Sequence, residues 1–350
     1  MTKRVIFPTG SEALQREGMS AAPEVWEDGL RAPTGPGFFE WWYFDAHFDD
    51  GSTAVIVFLT KPMIERNAPL KPVVLITITR PDGKQITRSI QVPPVEFSSS
   101  KEHCYVRSGE SWVRGNLRSY ELYAKVNDVS AHLTFEGLVP PWRPGVGKNY
   151  YDEAQTQFFG WFPAIPHGVV EGFLTYDGAM RQVKGTCYHD HNWGNVGLNE
   201  VLSHWVWGRA HIADYTLIFV EMTAAKDYGS QKVPVFMLAK KDQILTGECE
   251  PLRLTTSDHI MHPGKRSYPQ KVAFHWEKGA DCVHLALREP HLIEAASLLG
   301  FLPPFQRFAA RLFANPYYFR FNAALDLEIR MGDLQDRQSG RALYEIMLLR

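Results

Sequence analysis

The sequence predicts an all-β protein built from two antiparallel β units, and three observations support this fold class. Alternating apolar and polar stretches closed by turn residues recur along the chain: "FFEWWYFDAHF" reaches a DDG turn at residues 49–51 before "STAVIVFLT", as in a β-hairpin. Further hairpins are predicted at residues 72–92 and 119–138. No long crossover helices separate the strand patterns, which disfavours a parallel α/β sheet. The length of 350 residues suits two domains of ordinary size.

One stretch rich in proline and glycine interrupts the strand patterns. Residues 139–150, "VPPWRPGVGKNY", suit neither a helix nor a ladder of paired strands. Strand patterns resume at residue 168 with "GVVEGFLTY". We therefore predict an N-terminal β domain in residues 1–140 and a C-terminal β domain in residues 151–350, each a closed barrel or sandwich.

A short helical segment is predicted near residues 291–315, where the apolar spacing is closer to helical than to alternating. The overlapping segment 298–319 combines large apolar residues with Arg307 and Arg311. Such a segment suits peripheral contact with a bilayer or a lid over a pocket. A helix packed between the two β units is the alternative interpretation.

Composition excludes several classes of function. The net charge is −2 without a basic stripe, so nucleic-acid binding is not predicted. The four cysteines are far apart and form no CxxC pair, which argues against a thiolate zinc site or a dense disulfide framework. No apolar run approaches the roughly 18 residues of a membrane-spanning helix, and no nucleotide-binding or hydrolase motif occurs. We expect a cytoplasmic protein without a cofactor.

The first candidate for chemistry is "FEWWYFDAHF" at residues 39–48. Because side chains alternate along a strand, one face would carry Glu40, Trp42, Phe44 and Phe48, and the other Trp41, Tyr43, Asp45 and His47. A charged carboxylate among aromatic rings is costly to desolvate, which suits a general acid. Glu40 is therefore a candidate acid, or alternatively an anchor paired with an arginine. Asp45 and His47, nearer the turn, are expected to be solvated.

The second candidate is "GTCYHDHNWGN" at residues 185–195. On a strand, His189 and His191 face one way, and Tyr188, Asp190 and Asn192 face the other. A His-x-His pair can bind a metal, but a closed site needs further ligands. The candidates His204, His211 and Asp214 show no recognisable metal spacing, so we predict no metal. A structural hydrogen-bond cluster, or an acid at Asp190 tuned by a histidine such as His191, remains open.

The third candidate is "HWVWGRAH" at residues 204–211. Alternation places Trp205, Trp207 and Arg209 on one face of a strand. Two indoles in a row can form the wall of a ligand pocket, and an arginine beside them can pair with a carboxylate or stack on a ring. Ordinary core packing is the alternative interpretation of the two indoles.

These motifs resemble those of the carotenoid hydratase (hydroxyneurosporene synthase) family, to which AttH-like and fungal Diels–Alderase proteins are more distantly related. "EWWYFDAHFDDG", "YHDHNWGN" and the terminal "SGRALYEIMLL" carry the resemblance, which extends over most of the chain. It implies two tandem lipocalin-like β-barrels with an apolar pocket at or between them. It further implies addition of water to an isoprenoid double bond without a cofactor.

The resemblance also suggests roles for individual residues. Asp190 would be the leading proton donor, and Trp41, Tyr43 and Trp193 would be pocket residues. A cation formed by protonation of an alkene would be stabilised by aromatic faces, and its proton donor needs a dry site. In a cyclase or Diels–Alderase, a tyrosine such as Tyr43 or a protonated carboxyl would polarise a carbonyl instead.

Two classes of function follow for a hydrophobic small-molecule partner. The first is an enzyme using Asp190, His191, Glu40 or Tyr43, with Trp41, Tyr188, Trp193, Trp205 and Trp207 contacting the substrate. The second is a lipocalin-like carrier in which Asp190 is only a structural hydrogen-bond partner. The choice of proton donor depends on which face of the strand looks into an aromatic pocket: if the histidines do, the role passes to them.

Overall fold

The computed structural model describes residues 3–297 and 316–350, and strands dominate this part of the chain. The strands up to residue 194 are β1 (Phe39–Phe48), β2 (Thr53–Leu59), β3 (Val73–Thr79), β4 (Gln85–Gln91), β5 (Phe97–Ser99), β6 (Cys104–Ser108), β7 (Ser111–Gly115), β8 (Ser119–Val126), β9 (Val129–Gly137), β10 (Lys148–Tyr150), β11 (Phe158–Tyr176) and β12 (Ala179–Gly194). The later strands are β13 (Leu202–Ile212), β14 (Tyr215–Ala224), β15 (Lys232–Lys240), β16 (Gln243–Thr246), β17 (Leu252–Met261), β18 (Ser267–Lys278), β19 (Asp281–Ser297), β20 (Tyr317–Met331) and β21 (Leu334–Leu348).

Helices in the described residues are short. The α-helices are α1 (Ser11–Arg16) and α2 (Leu198–Val201). Single 3-10 turns cover Val25–Asp28, Met63–Glu65, Pro94–Glu96 and Lys226–Tyr228. Among the described residues, none of the helices is long and apolar enough to cross a membrane.

The chain divides into two compact units. The first is Ile6–Gly197, and the second contains Leu198–Arg350 together with the residues before Ile6. The proline- and glycine-rich residues 139–150 fall inside the first unit, where β10 pairs with β11. They do so because β12, which follows them in sequence, returns to pair with β1.

Each unit is an antiparallel sheet in which the first strand pairs with the last. The first sheet has the order β4-β3-β2-β1-β12-β11-β9-β8-β7-β6-β5, and the second has the order β16-β15-β14-β13-β21-β20-β19-β18-β17. The first sheet curls, so that β3 and β4 contact β8. The predicted all-β, lipocalin-like fold class is confirmed.

The helical segment predicted near residues 291–315 is wrong for its first part. Residues 291–297 continue β19 and pair with residues 317–322 of β20. The local preference for a helix is a weak effect, and hydrogen bonding to a long neighbouring strand overrides it. The remaining residues of that prediction, 298–315, lie outside the described part of the chain.

The inner face of the first sheet holds its hydrophobic core. Every second side chain of β1 points inward, and Trp42, Phe44 and Ala46 have no solvent exposure. They pack with inward residues of β2, β8 and β9 such as Phe58 and Phe135. Alternation along β1 and β12 therefore gives the pair one inner and one outer face, and both faces carry ionisable groups.

Candidate functional site

The paired centres of β1 and β12 bring the two sequence motifs together. Trp42 lies opposite His191 on the inner face, and Phe44 lies opposite His189. Tyr43 lies opposite Asp190 on the outer face. The structure thus separates Asp190 from its two neighbouring histidines, and the two faces form different environments.

The histidines face a closed interior. His189 and His191 have no solvent exposure, and each ring is stacked on an aromatic ring, with centroids 3.9 Å apart for Phe44 and His189 and 4.7 Å apart for Trp42 and His191. His189 Nε2 lies 3.0 Å from Asp28 Oδ2. His191 Nε2 lies 2.7 Å from Glu40 Oε1. The rings that line this interior pack tightly against the imidazoles.

Glu40 is an anchor inside this interior. Its carboxylate accepts hydrogen bonds from the backbone N–H groups of Arg31 and Ala32, at 2.7 and 2.8 Å. It also contacts His191, so it pairs with an imidazole rather than with an arginine side chain. These contacts fasten the loop before β1 to the β1–β12 pair, and Glu40 has no solvent exposure.

The pKa of Asp28, in the same interior, is lowered from its ordinary value. Burial alone would raise the pKa of this carboxyl, but the charges of His189 and His191, together with hydrogen bonds from His189 and Tyr120, outweigh burial. Tyr120 donates its hydroxyl to Asp28 Oδ2 at 2.6 Å, and Trp42 Nε1 donates to the backbone carbonyl of Asp28 at 3.0 Å. Asp28 is therefore the central anion of the inner face.

Asp190 lies on the outer face and is 8% exposed. Its Oδ2 accepts hydrogen bonds from Trp161 Nε1 at 2.9 Å and from the Tyr188 hydroxyl at 2.8 Å. Its Oδ1 accepts one from Asn192 Nδ2 at 2.7 Å. Burial raises the pKa of Asp190, and this effect exceeds the opposing effects of these hydrogen bonds and of the His189 charge. The protonated form is thereby favoured relative to an exposed aspartate.

Aromatic rings surround Asp190 along the outer face. Trp142 packs edge-on against Trp161, with ring centroids 6.3 Å apart, and Tyr43 packs edge-on against Tyr188 at 6.4 Å. The outer aromatic strip consists of Phe39, Trp41, Tyr43, Trp142, Phe159, Trp161 and Tyr188. Trp41, Tyr43, Phe159 and Trp161 retain partial solvent exposure. This strip can meet an apolar ligand next to a carboxyl.

The expectation that both Asp45 and His47 are solvated is wrong for Asp45. Asp45 is 2% exposed, accepts a hydrogen bond from the Tyr43 hydroxyl at 3.1 Å and lies 3.0 Å from His47 Nε2. His47 retains 37% side-chain exposure. Strand β1 extends to Phe48, which keeps Asp45 well inside the ladder, away from the turn.

The predicted site residues fall into three groups. Asp190, Tyr43, Trp41 and Tyr188 share the outer face of the first sheet, whereas His191, Glu40 and Trp193 lie on its inner side, with His191 and Trp193 in ring contact at 5.0 Å. Trp205 and Trp207 belong to β13 of the second unit. There, Trp205 Nε1 donates to Glu345 Oε1 at 3.1 Å.

Sequence reasoning missed Asp28, Cys104, Tyr120 and Trp161. Asp28 lies in a 3-10 turn, where no periodicity indicates burial. Cys104 and Tyr120 lie on β6 and β8, far from the histidines in sequence. Trp161 belongs to "FFGWFP", and its alternation with Phe159 was a usable signal for a ring on the outer face.

Comparisons with known proteins place the chain in a class of tandem β folds. The structure of CghA aligns with a TM-score of 0.65 and 12% identity over 99% of this chain and 98% of that one. A putative AttH from Nitrosomonas europaea aligns with a TM-score of 0.59 and 14% identity over 93% and 97%. Kievitone hydratase from Nectria haematococca aligns with a TM-score of 0.57 and 14% identity over 99% and 98%. At these identities the likeness concerns the fold.

The family itself is shown by the sequence. The Svf1 family model matches residues 72–349, and the chain belongs to this family. No curated protein matches the sequence. The resemblance to carotenoid hydratases is thus supported at the coarser level of the AttH and hydratase fold. The predicted cytoplasmic location and peripheral membrane contact remain predictions, since most of the segment 298–319 is outside the described residues.

Proposed function

We propose that this protein is a cofactor-independent enzyme that protonates an alkene of a hydrophobic isoprenoid or polyene and adds water to it. The observation that carries the proposal is Asp190, a buried carboxyl of raised pKa set in the outer aromatic strip. The similarity in fold to kievitone hydratase supports a hydratase. The resemblance of the β1 and β12 motifs to carotenoid hydratases supports an isoprenoid substrate.

The reaction needs one acid and a surface that tolerates a cation. The Asp190 carboxyl transfers its proton to one alkene carbon, which leaves a carbocation on the other and a carboxylate at residue 190. The faces of nearby rings, Trp41 and Trp161 among them, stabilise the cation. A water oxygen bonds to the cationic carbon, and the proton released from that water restores the Asp190 carboxyl. The sum is alkene plus water giving an alcohol.

Two outcomes of the same site compete with hydration. If a second double bond captured the cation and the resulting cyclic cation returned a proton to the Asp190 carboxylate, the product would be a cyclic isomer of the substrate. A carrier would bind the ligand without chemistry, and the three hydrogen bonds to Asp190 would then serve as a structural anchor. The mass of the product distinguishes cyclisation from hydration, and ligand binding without any product identifies a carrier.

Asp190→Asn tests the proposal with little change in shape. The new amide oxygen can accept from Trp161 and Tyr188, and the Asn192 amide can rotate to present its oxygen to the new NH₂ group. We expect a panel of isoprenoid alkenes to contain a substrate that gains the mass of one water with the wild type. Asp190→Asn should lower turnover at least about 100-fold, while quenching of tryptophan fluorescence still reports binding.

Asp45→Asn is the matched control, because Asp45 is a buried carboxylate on the outer face of the neighbouring strand β1. It is already paired with His47, so we expect this variant to retain most of the turnover. Circular dichroism and melting temperature would verify folding of both variants. Turnover that survives Asp190→Asn in a folded protein would contradict the proposed role of Asp190.

A further inference from the structure

The inner face of the first unit contains a cluster of potential metal ligands. Asp28, Cys104 and His189 each present one ligand atom, and these atoms lie within 4.8 Å of one another. His191 Nδ1 lies 3.4 Å from Asp28 Oδ1. Asp28, His189 and His191 have no solvent exposure and Cys104 has 1%. We call these four residues the inner cluster.

Hydrogen bonding defines which nitrogen of His189 faces the cluster. Its Nδ1 lies 2.9 Å from the backbone carbonyl oxygen of Tyr43. A carbonyl can only accept, so Nδ1 carries the proton, and Nε2 of the neutral ring is a lone pair. That lone pair points at Asp28 Oδ2, 3.0 Å away, which is itself an acceptor. The contact is satisfied either by a second proton on Nε2, which makes His189 a donor to Asp28, or by a metal ion held between the two atoms.

His191 has the same arrangement with its two ring nitrogens exchanged. Its Nε2 is the donor to Glu40 Oε1 at 2.7 Å, because Glu40 accepts from two backbone N–H groups on its other sides. In the neutral ring Nδ1 then carries a lone pair, and it lies 3.4 Å from Asp28 Oδ1. Neither His191 Nδ1 nor Asp28 Oδ1 has a hydrogen-bond partner, although both atoms are buried.

Metal-binding histidines usually have their second ring nitrogen held by a carbonyl or a carboxylate, which orients the ring and selects its tautomer. His189 has the carbonyl of Tyr43 in this position, and His191 has the carboxylate of Glu40. The two imidazoles therefore present lone pairs toward the same carboxylate, and the thiol of Cys104 adjoins it.

We propose that Asp28, Cys104, His189 and His191 bind one zinc ion inside the first unit. A thiolate, two imidazoles and a carboxylate form a tetrahedral donor set suited to zinc. Adjacent ligands around a tetrahedral zinc ion lie about 3.3–3.6 Å apart, as follows from zinc–ligand bonds of about 2.0–2.3 Å. His189 Nε2 and His191 Nδ1 lie 3.0 and 3.4 Å from the two different oxygens of Asp28, and the ligand atoms of Asp28, Cys104 and His189 lie within 4.8 Å of one another. Binding one ion therefore requires the four side chains to close in on a common centre.

Charge and access indicate that the ion would be structural. One thiolate and one carboxylate balance the two positive charges of zinc, so the ion with its four ligands is neutral, and the adjacent Glu40 carboxylate is stabilised by two backbone N–H groups. All four positions of the tetrahedron would be filled by protein, as in closed structural sites. The inner cluster faces away from Asp190, so this inference does not rest on the proposed function.

The wild-type chain provides the first test. It would be produced without a polyhistidine tag in zinc-supplemented medium, and its mass measured under native and denaturing conditions. We expect a native mass larger by one zinc ion and elemental analysis giving one zinc per chain. A zinc-free native mass, both after this expression and after refolding with equimolar zinc, would overturn the proposal.

Cys104→Ala locates the ion, and Cys187→Ala is the matched control. Both thiols are buried in the core of the first unit, but Cys187 donates to the backbone carbonyl of Val169. Cys104→Ala should lower zinc affinity at least about 100-fold, since loss of even an outer partner of a ligand costs 10–100-fold. Cys187→Ala should bind normally. Equal affinity in both variants would contradict the assignment.

Cobalt substitution keeps the proposal testable if Cys104→Ala does not fold. Wild-type chain refolded with cobalt in place of zinc should show the intense thiolate-to-cobalt absorption and the visible bands of a tetrahedral site. Cys187→Ala refolded with cobalt should show the same spectrum. Absence of the thiolate band in the wild type would exclude Cys104 as a ligand.

Discussion

At residue 190, burial and hydrogen bonding act on one carboxyl in opposite directions. Removal from water raises its pKa, while donors from Trp161, Tyr188 and Asn192 stabilise the charged form and lower it. Burial is the larger effect, so Asp190 keeps its proton to higher pH than an exposed aspartate. The same donors stabilise the carboxylate that remains after the proton has been transferred.

The pH dependence of turnover follows from this raised pKa. A proton donor acts in its protonated form, which is populated below its pKa, so kcat/KM should fall as pH rises through the raised value. The midpoint should lie above the ordinary aspartate pKa of 3.8. Measurement of kcat/KM against pH, with a substrate that the enzyme hydrates, tests this prediction. A kcat/KM that increases as pH rises through the pKa of Asp190 would contradict an acid role.

Trp161→Phe should displace that profile to higher pH. In the wild type, the hydrogen bond from the Trp161 indole N–H to Asp190 Oδ2 lowers the pKa of the carboxyl. The substitution removes this hydrogen bond, so the pKa of Asp190 should rise further. Trp142→Phe is the control, since Trp142 contacts the ring of Trp161 without donating to Asp190. A profile that moves equally in both variants would indicate an effect of ring packing rather than of the hydrogen bond.

The geometry of β11 depends on a glycine. Gly172 has φ of +146°, and a Cβ atom there would lie 2.1 Å from the backbone oxygen of His132 on β9. Irregular pairing between Pro163 and Gly168 precedes this point. The backbones of β11 and β9 approach closely at this point, and only glycine permits that approach.

Gly172→Ala should therefore destabilise the first unit. Strain at a left-handed φ and a clash with backbone together predict a loss of at least about 2 kcal/mol in the free energy of unfolding. Gly35→Ala is the control, because a Cβ atom there meets nothing within 4 Å. Urea unfolding of both variants measures the difference in the free energy of unfolding. Equal stability would contradict the prediction and show that the backbone of β9 can move away without a loss of stability.

The β-strands were predictable from sequence where the signals for them lie in neighbouring residues. The hairpins β1–β2 and β3–β4 are visible as alternation and turn residues, and alternation over residues 188–192 predicts that Asp190 opposes its histidines. Pairing of β1 with β12 is not visible, because the two strands are separated by ten others. Asp28 was missed because it is buried by a turn that packs on the sheet, a consequence of tertiary structure alone.

At the scale of the whole molecule, the two units share a central strand arrangement but differ in chemistry. In each, four consecutive strands, β1–β4 or β13–β16, form a meander, and the first of them pairs with the last strand of the unit, β12 or β21. The inner positions of the first central pair hold His189 and His191, whereas the second pair has Tyr344 and Ile346 beside β13. The second central pair thus forms without buried histidines.

The most direct measurement of the central claim is isotopic labelling during turnover. A substrate from the alkene panel would be incubated with the enzyme in deuterated, ¹⁸O-labelled water, and the product analysed by mass spectrometry. We predict one carbon-bound deuterium and one ¹⁸O per product with the wild type, and neither with Asp190→Asn. Ligand recovered without deuterium from a wild type that binds it would contradict proton transfer and identify the protein as a carrier.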